Sequence, residues 1–321
     1  MASWLVTGGN GFLGRHVLAL LGSTPGADLF AIGRRRPAGI PTSRFIEADL
    51  LDSEAIRSGL SGLAADFVIH TAGKTPPASD EELFRGNFEA TNHLLAALRA
   101  IERPMRVVLS GSAAELGPVD ESSLPVDENY PPEPVHAYGR SKWMATRIGL
   151  AEGPPLQVIA TRIFNPIGPG TPPNQALGAF AARLAADGPD PIDLPVGDLY
   201  PRRDFVDVRD VAEALITLAR TGRSGQLYHV GSGRSRSVAE GLDLLIAMSG
   251  RSVIVREDPA LVRREGPADS RANIRKIVHE TGWKPRIGFE ESLRDLWNEV
   301  KTGPSCHRLA DSPLDRLPLT A

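Results

Sequence analysis

The sequence predicts an α/β protein: a doubly wound parallel sheet followed by a smaller C-terminal lobe. Three observations predict it. A short apolar run near the N-terminus breaks into glycines and resumes as an apolar helical stretch. Strand-like and helix-like segments alternate from there to about residue 170, and beyond that point proline-rich connections and short elements take over.

The opening unit runs from Leu5-Val6 through Thr7-Gly8-Gly9-Asn10-Gly11-Phe12-Leu13-Gly14 into Arg15-His16-Val17-Leu18-Ala19-Leu20-Leu21. Strand, tight turn and helix are its natural reading. Gly8 takes the backbone angles of the turn, Gly11 lets a pyrophosphate approach the main chain, and Gly14 lets the helix pack on the strand. The helix then points unpaired N–H groups at the phosphates. A glycine triplet alone serves equally well as an ordinary strand-to-helix turn, so the downstream segments decide.

Residues 28–33 read as a second strand ending at Arg34-Arg35-Arg36-Pro37. An acidic residue often binds the adenosine ribose at this point, and here Gly33 is followed by arginines. Arg34 can pair with a 2′-phosphate or stack on adenine, while Arg35 and Arg36 also suit a solvated loop. Residues 43–48 form a third strand delivering Asp49-Leu50, where the carboxylate can accept from an adenine amino group or cap a helix starting near Ser53. A fourth strand, residues 67–70, ends in Thr71-Ala72-Gly73, small enough for a cofactor to pass. Lys74 then faces either the cleft or solvent. Residues 81–101 carry a helical stripe with Asn87 early in it, and residues 105–109 form a fifth strand ending at Ser110-Gly111-Ser112. This alternation is Rossmann-type, with ligands at the carboxyl ends of the strands, where each of these motifs falls.

After a proline-rich, acidic loop over residues 117–134 comes a helix carrying Tyr138-Gly139-Arg140-Ser141-Lys142. Spacing of four stacks Tyr138 and Lys142 on one face, where a lysine cation can lower the phenol pKa from about 10 towards neutrality. Such a phenol can move a proton while hydride moves at the neighbouring carbon. Residues 158–164 are a sixth strand entering Asn165-Pro166-Ile167-Gly168-Pro169-Gly170. The expected organisation is a dinucleotide-binding domain over residues 1–170 to which part of the later chain returns, a mainly substrate-binding lobe over 171–301, and a flexible tail over 302–321.

Composition is that of an ordinary globular protein: 41% apolar and 23% charged residues, with 36 basic against 39 acidic side chains and a net charge of −3. That balance points to neither nucleic acid nor an anionic membrane as partner. The single cysteine, Cys306, lies in the tail, so no disulfide framework or cysteine metal site is expected within the chain, and no metal at all. Met1 runs directly into the glycine turn without the pattern of a secretory leader, and a cytoplasmic location is expected.

With these residues in place, the chain resembles the extended short-chain dehydrogenase/reductase family, in particular its nucleotide-sugar epimerases, dehydratases and 4-ketoreductases. The resemblance covers residues 3–300. It rests on the glycine turn, on Ser112 before the Tyr138-to-Lys142 helix, and on Arg162-Ile163-Phe164-Asn165-Pro166, Arg203-Asp204-Phe205-Val206 and Arg263-Arg264-Glu265-Gly266. It implies a Ser112, Tyr138 and Lys142 triad acting at sugar C4, and a bound NAD, with NADP left open by Gly33-Arg34. Cofactor contacts would come from Gly8, Gly11, Phe12, Leu13, Arg34, Asp49, Leu50, Thr71, Ala72, Gly73, Asn87, Ser110, Tyr138, Lys142 and Phe164. The substrate would be a UDP-linked sugar touched by Lys74 and Asn165 and clamped by Arg203 and Arg264, whose planar forks suit a diphosphate. A homodimer is the candidate assembly.

One departure bears on the reaction. Sugar 4,6-dehydratases follow the place of Ser112 with an aspartate and a glutamate, where this chain has Ala113 and Ala114. A carboxylate arrives one step later, at Glu115. In a closed site it could serve loss of the C6 hydroxyl from a C4 ketone, so the expected reaction is the 5,6-dehydration of a UDP-hexosamine. A 4-epimerase or 4-ketoreductase is the alternative, and a non-catalytic nucleotide-binding protein a remote one. The plain alternative for Glu115 is a solvent-facing loop residue. The expectation of NAD rests on Glu115, and Gly33-Arg34 argues for NADP.

Overall fold

The computed structural model describes residues 1–262 and 267–302. Its first strand, β1 (Ala2–Thr7), is sealed from Trp4 onward: Trp4, Leu5, Val6 and Thr7 are all buried. A strand covered on both faces belongs inside a parallel sheet. The next five are β2 (Ala27–Gly33), β3 (Phe45–Glu47), β4 (Phe67–His70), β5 (Met105–Ser112) and β6 (Leu156–Ile163). Three more, β7 (Asn165–Ile167), β8 (Ile192–Val196) and β9 (Arg202–Asp207), precede β10 (Leu227–Val230), which rejoins the large sheet. Seven parallel strands result, in the order β10-β6-β5-β4-β1-β2-β3. This is the doubly wound, Rossmann-type arrangement.

Side-chain alternation along β1 divides the core between the faces. Trp4 and Val6 meet Val17 and Leu21 of α1 (Phe12–Gly22) and Leu215 of α7 (Val208–Thr221). Leu5 turns the other way, into a cluster with Ile56 of α2 (Ser53–Leu60) and Leu94 of α4 (Ala90–Arg99). The helix α5 (Ala137–Leu150) packs beside α4 on that second face.

A separate core fills the lobe. Leu177 and Phe180 of α6 (Ala176–Ala185), Leu242 of α8 (Val238–Ser249) and Leu293 of α10 (Phe289–Thr302) enclose it with Leu194 of β8. The chain beyond residue 171 nevertheless divides its elements between the two bodies, since α7 packs on α1 and β10 pairs with β6. Strand β9 is flanked by β7, by β11 (Ser235–Ser237) and by β13 (Asp269–Ser270), while β12 (Val253–Glu257) pairs with β8. A short helix, α9 (Arg275–Thr281), packs under β10. The tail expected from residue 302 lies outside the described residues beyond Thr302.

The helical stripe expected over residues 81–101 is built in three pieces. A first turn, α3 (Asp80–Phe84), is closed by a capping box between Ser79 and Glu82. The turn over Arg85–Glu89 then widens to π geometry before α4 begins. Such a turn lodges one extra residue, and here it carries the buried Asn87.

Behind the sheet edge, His70 bridges two threonines: its Nδ1 lies 2.7 Å from Thr7 Oγ1 and its Nε2 3.0 Å from Thr91 Oγ1. Thr91 already donates its hydroxyl to the Asn87 carbonyl at 2.5 Å, so His70 Nε2 is the donor to Thr91 and Nδ1 accepts from Thr7. Burial pushes His70 down to about 3, with the Lys142 charge adding. The unfolded chain therefore binds more protons than the native one between about 3 and 6.5. The neutral ring's contribution is fully present above about 6.5 and is lost as pH falls towards 3. Urea unfolding followed across that window should show His70→Gln flattening the loss of stability by one proton's worth, ~1.4 kcal/mol per pH unit. An unchanged slope would mean that the ring charges without unfolding the protein.

Candidate active site

The carboxyl ends of β1, β2, β3, β4 and β5 lie along one edge, and the residues expected to bind a dinucleotide collect there. Gly8 turns the chain out of β1 with φ of +70°, and a Cβ at that position would sit 2.5 Å from the Ala72 backbone nitrogen. Only glycine fits. Helix α1 follows with Gly11 as its N-cap, no capping side chain and no acid in its first turn. Its leading N–H groups, including those of Phe12 and Leu13, are the donor set a pyrophosphate takes.

The neighbouring strand ends complete the cradle. Gly33 closes β2 and is followed by the exposed Arg34, Arg35 and Arg36. Asn10 ties this basic loop to the glycine turn by donating to the Arg35 carbonyl at 2.7 Å. Asp49 is exposed just past β3 and accepts from the Leu51 N–H, whereas the cap of α2 is Asp52. The capping use considered for Asp49 thus falls to its neighbour. Thr71 and Ala72 are bound to β1, Thr71 donating to the Thr7 carbonyl and Ala72 N–H to Thr7 Oγ1. These groups fit a nicotinamide adenine dinucleotide, with backbone donors for its phosphates and small residues along its path.

The residues expected to transfer a proton meet where β5 ends and α5 begins. The close contact that joins them is at Gly139, where a Cβ would lie 2.3 Å from the Ala114 carbonyl oxygen. Tyr138, next to it, shares a hydrogen bond with the Ser112 hydroxyl. Lys142, one helical turn on, donates from Nζ to the Ser110 carbonyl. Asn87 braces the arrangement from behind: its Nδ2 donates to Ser141 Oγ at 2.9 Å and to the Lys74 carbonyl at 2.9 Å, and its Oδ1 accepts from Lys74 N–H at 2.8 Å. Ser141 in turn donates to the Tyr138 carbonyl at 2.8 Å.

Electrostatics differ from expectation at the phenol. Burial raises the Tyr138 pKa, the Ser112 hydrogen bond opposes the rise and the Glu115 charge adds to it. The lowering expected from Lys142 is not realised: the ammonium is turned to Ser110 and burial is the largest influence on the phenol. Burial also pulls Lys142 down to about 8, with Glu115 acting the other way.

Glu115 departs furthest from its expected place. It is fully buried, its Oε1 accepts from Ser112 N–H at 2.8 Å and Thr146 Oγ1 at 3.1 Å, and its Oε2 faces Arg162 Nε at 3.3 Å. It is neither a free acid over the substrate nor a solvent-facing loop residue. Two cofactor candidates and one substrate candidate are likewise occupied elsewhere. The Phe164 ring is buried against His229, the Leu50 side chain lies in the core, and the Lys74 ammonium pairs with Glu82 at the surface.

On the side expected to meet the substrate, β7 and β9 run parallel, with Asn165 opposite Phe205. Arg203 precedes Phe205 by two residues, and its Nη1 donates to the carbonyls of Arg202 and Pro267, both at 2.9 Å. Arg264 lies outside the described residues. Sequence reasoning passed over Asp204, whose buried carboxylate collects the N–H groups of Ser232, Gly233 and Ala272 and the Ser232 hydroxyl. Burial lifts it to about 6. The available signal was weak, since β9 reads Arg202-Arg203-Asp204-Phe205-Val206-Asp207 and Asp204 is one charged residue among four.

Comparison with known proteins places these features. The sequence profile of the NAD dependent epimerase/dehydratase family matches residues 4–231. A GDP-6-deoxy-D-mannose reductase from Pseudomonas aeruginosa is 32% identical over 306 residues, 92% of this chain and 95% of that protein. A dTDP-6-deoxy-L-talose 4-dehydrogenase (NAD(P)(+)) from Kitasatospora kifunensis is 31% identical over 309 residues, 93% of this chain and 96% of the other. Among solved structures, RMD from Pseudomonas aeruginosa complexed with NADPH superposes with a TM-score of 0.83 at 30% identity, covering 94% of this chain and 99% of that one.

The lowered Lys142 value carries a test on dinucleotide binding. Wild-type affinity, titrated by calorimetry, should weaken as pH rises through about 8, where the ammonium is lost. Lys142→Met should bind roughly tenfold more weakly at neutral pH, the size of one charge-assisted hydrogen bond, and should lose that pH dependence. A variant that keeps the alkaline decline would show that another group titrates.

Proposed function

The chain belongs to the NAD dependent epimerase/dehydratase family, and from that premise we propose that it is a nucleotide-sugar oxidoreductase working at hexose C4, a 4-ketoreductase with the 4-dehydrogenase reaction as its reverse. The observation that carries the reading is the meeting of Ser112, Tyr138 and Lys142 at one sheet edge while Glu115, the carboxylate of the adjoining turn, is fully engaged below them. Dehydration of a UDP-hexosamine loses its proposed acid on that geometry.

When bound, the dinucleotide supplies hydride to C4 or accepts it. The Tyr138 hydroxyl gives a proton to O4 as the carbon is reduced, and takes it back in the reverse direction. Burial keeps this phenol protonated, the form that reduction needs. The Lys142 ammonium offsets the negative charge that develops on the phenol oxygen. Ser112, hydrogen-bonded with Tyr138, would donate to the same O4.

NADPH is the cofactor of this reading. Gly33 leaves the ribose end of β2 without an acid, and the exposed Arg34 and Arg35 offer guanidinium forks for a 2′-phosphate. The two relatives at 31% and 32% identity are named for dTDP- and GDP-linked 6-deoxy sugars. The base is therefore tested across all three nucleotides, uridine included, with Asn165 and Arg203 as the diphosphate contacts.

The assay supplies NADPH with 4-keto-6-deoxyhexoses linked to UDP, dTDP or GDP and follows nicotinamide absorbance. Oxidation of NADPH with formation of a 4-hydroxy sugar is expected. Exocyclic alkene signals in the proton NMR spectrum of a UDP-N-acetylglucosamine incubation would instead establish dehydration, and interconversion of C4 epimers without net cofactor turnover would establish epimerisation. Tyr138→Phe should lose about 10²- to 10⁴-fold in kcat and keep its dinucleotide affinity. Arg34→Glu should raise the KM for NADPH about tenfold or more relative to NADH, as loss of a charge-assisted phosphate contact requires; equal effects on both would place the 2′-phosphate elsewhere.

A further inference from the structure

The helix whose N-terminus fits the dinucleotide phosphates also grips the other half of the molecule. No side chain caps α1, so its leading N–H groups lack acceptors until an anion supplies them. Arg15 and His16 follow at the end of that turn. Burial lowers the His16 pKa, so the ring is neutral near pH 7, and its Nε2–H donates to the Pro169 carbonyl at 2.9 Å. The Arg15 guanidinium lies against Gly170, where a Cβ would fall 1.4 Å from Nη2, and the same Nη2 pairs with Glu299 Oε1 at 3.2 Å.

These contacts reach two elements beyond the dinucleotide edge. Pro169 and Gly170 sit in the turn over residues 168–171 that leaves β7, the strand of Asn165. Thr171 closes this turn on Gly168, donating its hydroxyl to the Gly168 carbonyl at 2.8 Å and accepting the Gly168 N–H at 3.0 Å. Glu299 belongs to α10, where spacings of three and four put Ser292, Asp295 and Glu299 along one side of the helix. Ser292 donates to Asp207, the cap of α7, at 2.7 Å, and Asp295 pairs with Arg209 of α7 at 2.8 Å. Leu293, Leu296 and Trp297 enter the lobe core. Helix α10 thus joins the lobe to the sheet body, its earlier part through α7 and its end through α1. The Arg15–Glu299 pair is partly exposed and contributes little alone, so the grip depends on its joining the His16 bond and the Gly170 contact.

We propose that Arg15 and His16 are positioning residues that make α1 a latch: a dinucleotide that orders the N-terminus of α1 thereby orders the 168–171 turn and the end of α10, setting Asn165 and the lobe before the sugar nucleotide arrives. Ordering of one site by the ligand of another couples the two without a large change of shape.

The inference rests on the dinucleotide seat of the proposed reaction, and it is read without sugar, so a missing sugar turnover and a failure here are separate results. Hydrogen exchange is followed by mass spectrometry with and without NADPH or NADH, whichever calorimetry shows to bind more tightly. In the wild type the dinucleotide should slow exchange roughly fivefold or more in the 168–171 turn and over residues 296–302, the lower end of typical coupling between sites. Arg15→Met/His16→Phe keeps the helix and a ring beside Phe12 but removes the latch contacts. It should still bind the dinucleotide and lose the slowing at both distant segments. A merely structural role would speed exchange equally with and without the dinucleotide and leave the ratio of the two intact. Slowing confined to the dinucleotide edge in the wild type, or distant slowing that survives in the variant, overturns the proposal. A chain that binds neither dinucleotide overturns both this inference and the reading beneath it. Should the double variant fail to fold, His16→Phe alone decides at the 168–171 turn: slowing lost there supports the latch, and slowing kept refutes it.

Discussion

A run of buried side-chain hydrogen bonds behind the carboxyl edge of the sheet governs where everything at that edge can sit. It passes from Thr7 to His70, to Thr91, to the Asn87 carbonyl, and from the Asn87 amide through Ser141 to the Tyr138 carbonyl. The first member stands at the mouth of the glycine turn and the last on α5, the helix of Tyr138 and Lys142. A buried polar group left without its partner costs about 1 to 3 kcal/mol, so these bonds form together or not at all. Phosphate turn and reactive helix are thereby placed by one network. The π turn is the device that makes it possible, because it carries a buried Asn87 whose side chain makes three hydrogen bonds at once, two with the Lys74 backbone and one with Ser141.

Electrostatic roles at the site divide by depth. The arginines past β2 stand in solvent, where added salt screens them beyond about 10 Å, and they suit recognition of an arriving anion. Lys142 is enclosed, and its charge acts at close range in a low-dielectric setting that salt reaches poorly.

Much of this was legible in the sequence, and what was not has a common cause. The strands were readable because buried parallel strands are short apolar runs with punctuating glycines and small residues, and the glycine turn and the Tyr138-to-Lys142 spacing are local patterns. The residues whose surroundings differ from expectation depend on partners that a local pattern does not name, near or far along the chain. Glu115 looks like a loop carboxylate until Arg162 arrives 47 residues later, and the only hint was an arginine amid the apolar run of β6. Lys74 was drawn to the cleft by its neighbours in sequence, whereas Glu82 holds it at the surface. The helical stripe over residues 81–101 only approximates a period of 3.6, and so loose a stripe does not reveal the π turn inside it. Arg264 falls outside the described residues and stands as an expectation.

The return of α7 and β10 to the large sheet, after the lobe has begun, carries a consequence for how such an enzyme can diversify. The lobe's own core draws on segments from before and after that excursion, with α6 and β8 on one side of it and α8 and α10 on the other. A gene cut anywhere in this stretch would sever strands or helices from the body they complete, so the lobe is not a cassette that recombination can exchange whole. Change on this scaffold would come by replacement of individual residues rather than by exchange of the lobe, and hybrids spliced from two relatives at a single crossover would inherit mismatched halves of the same core.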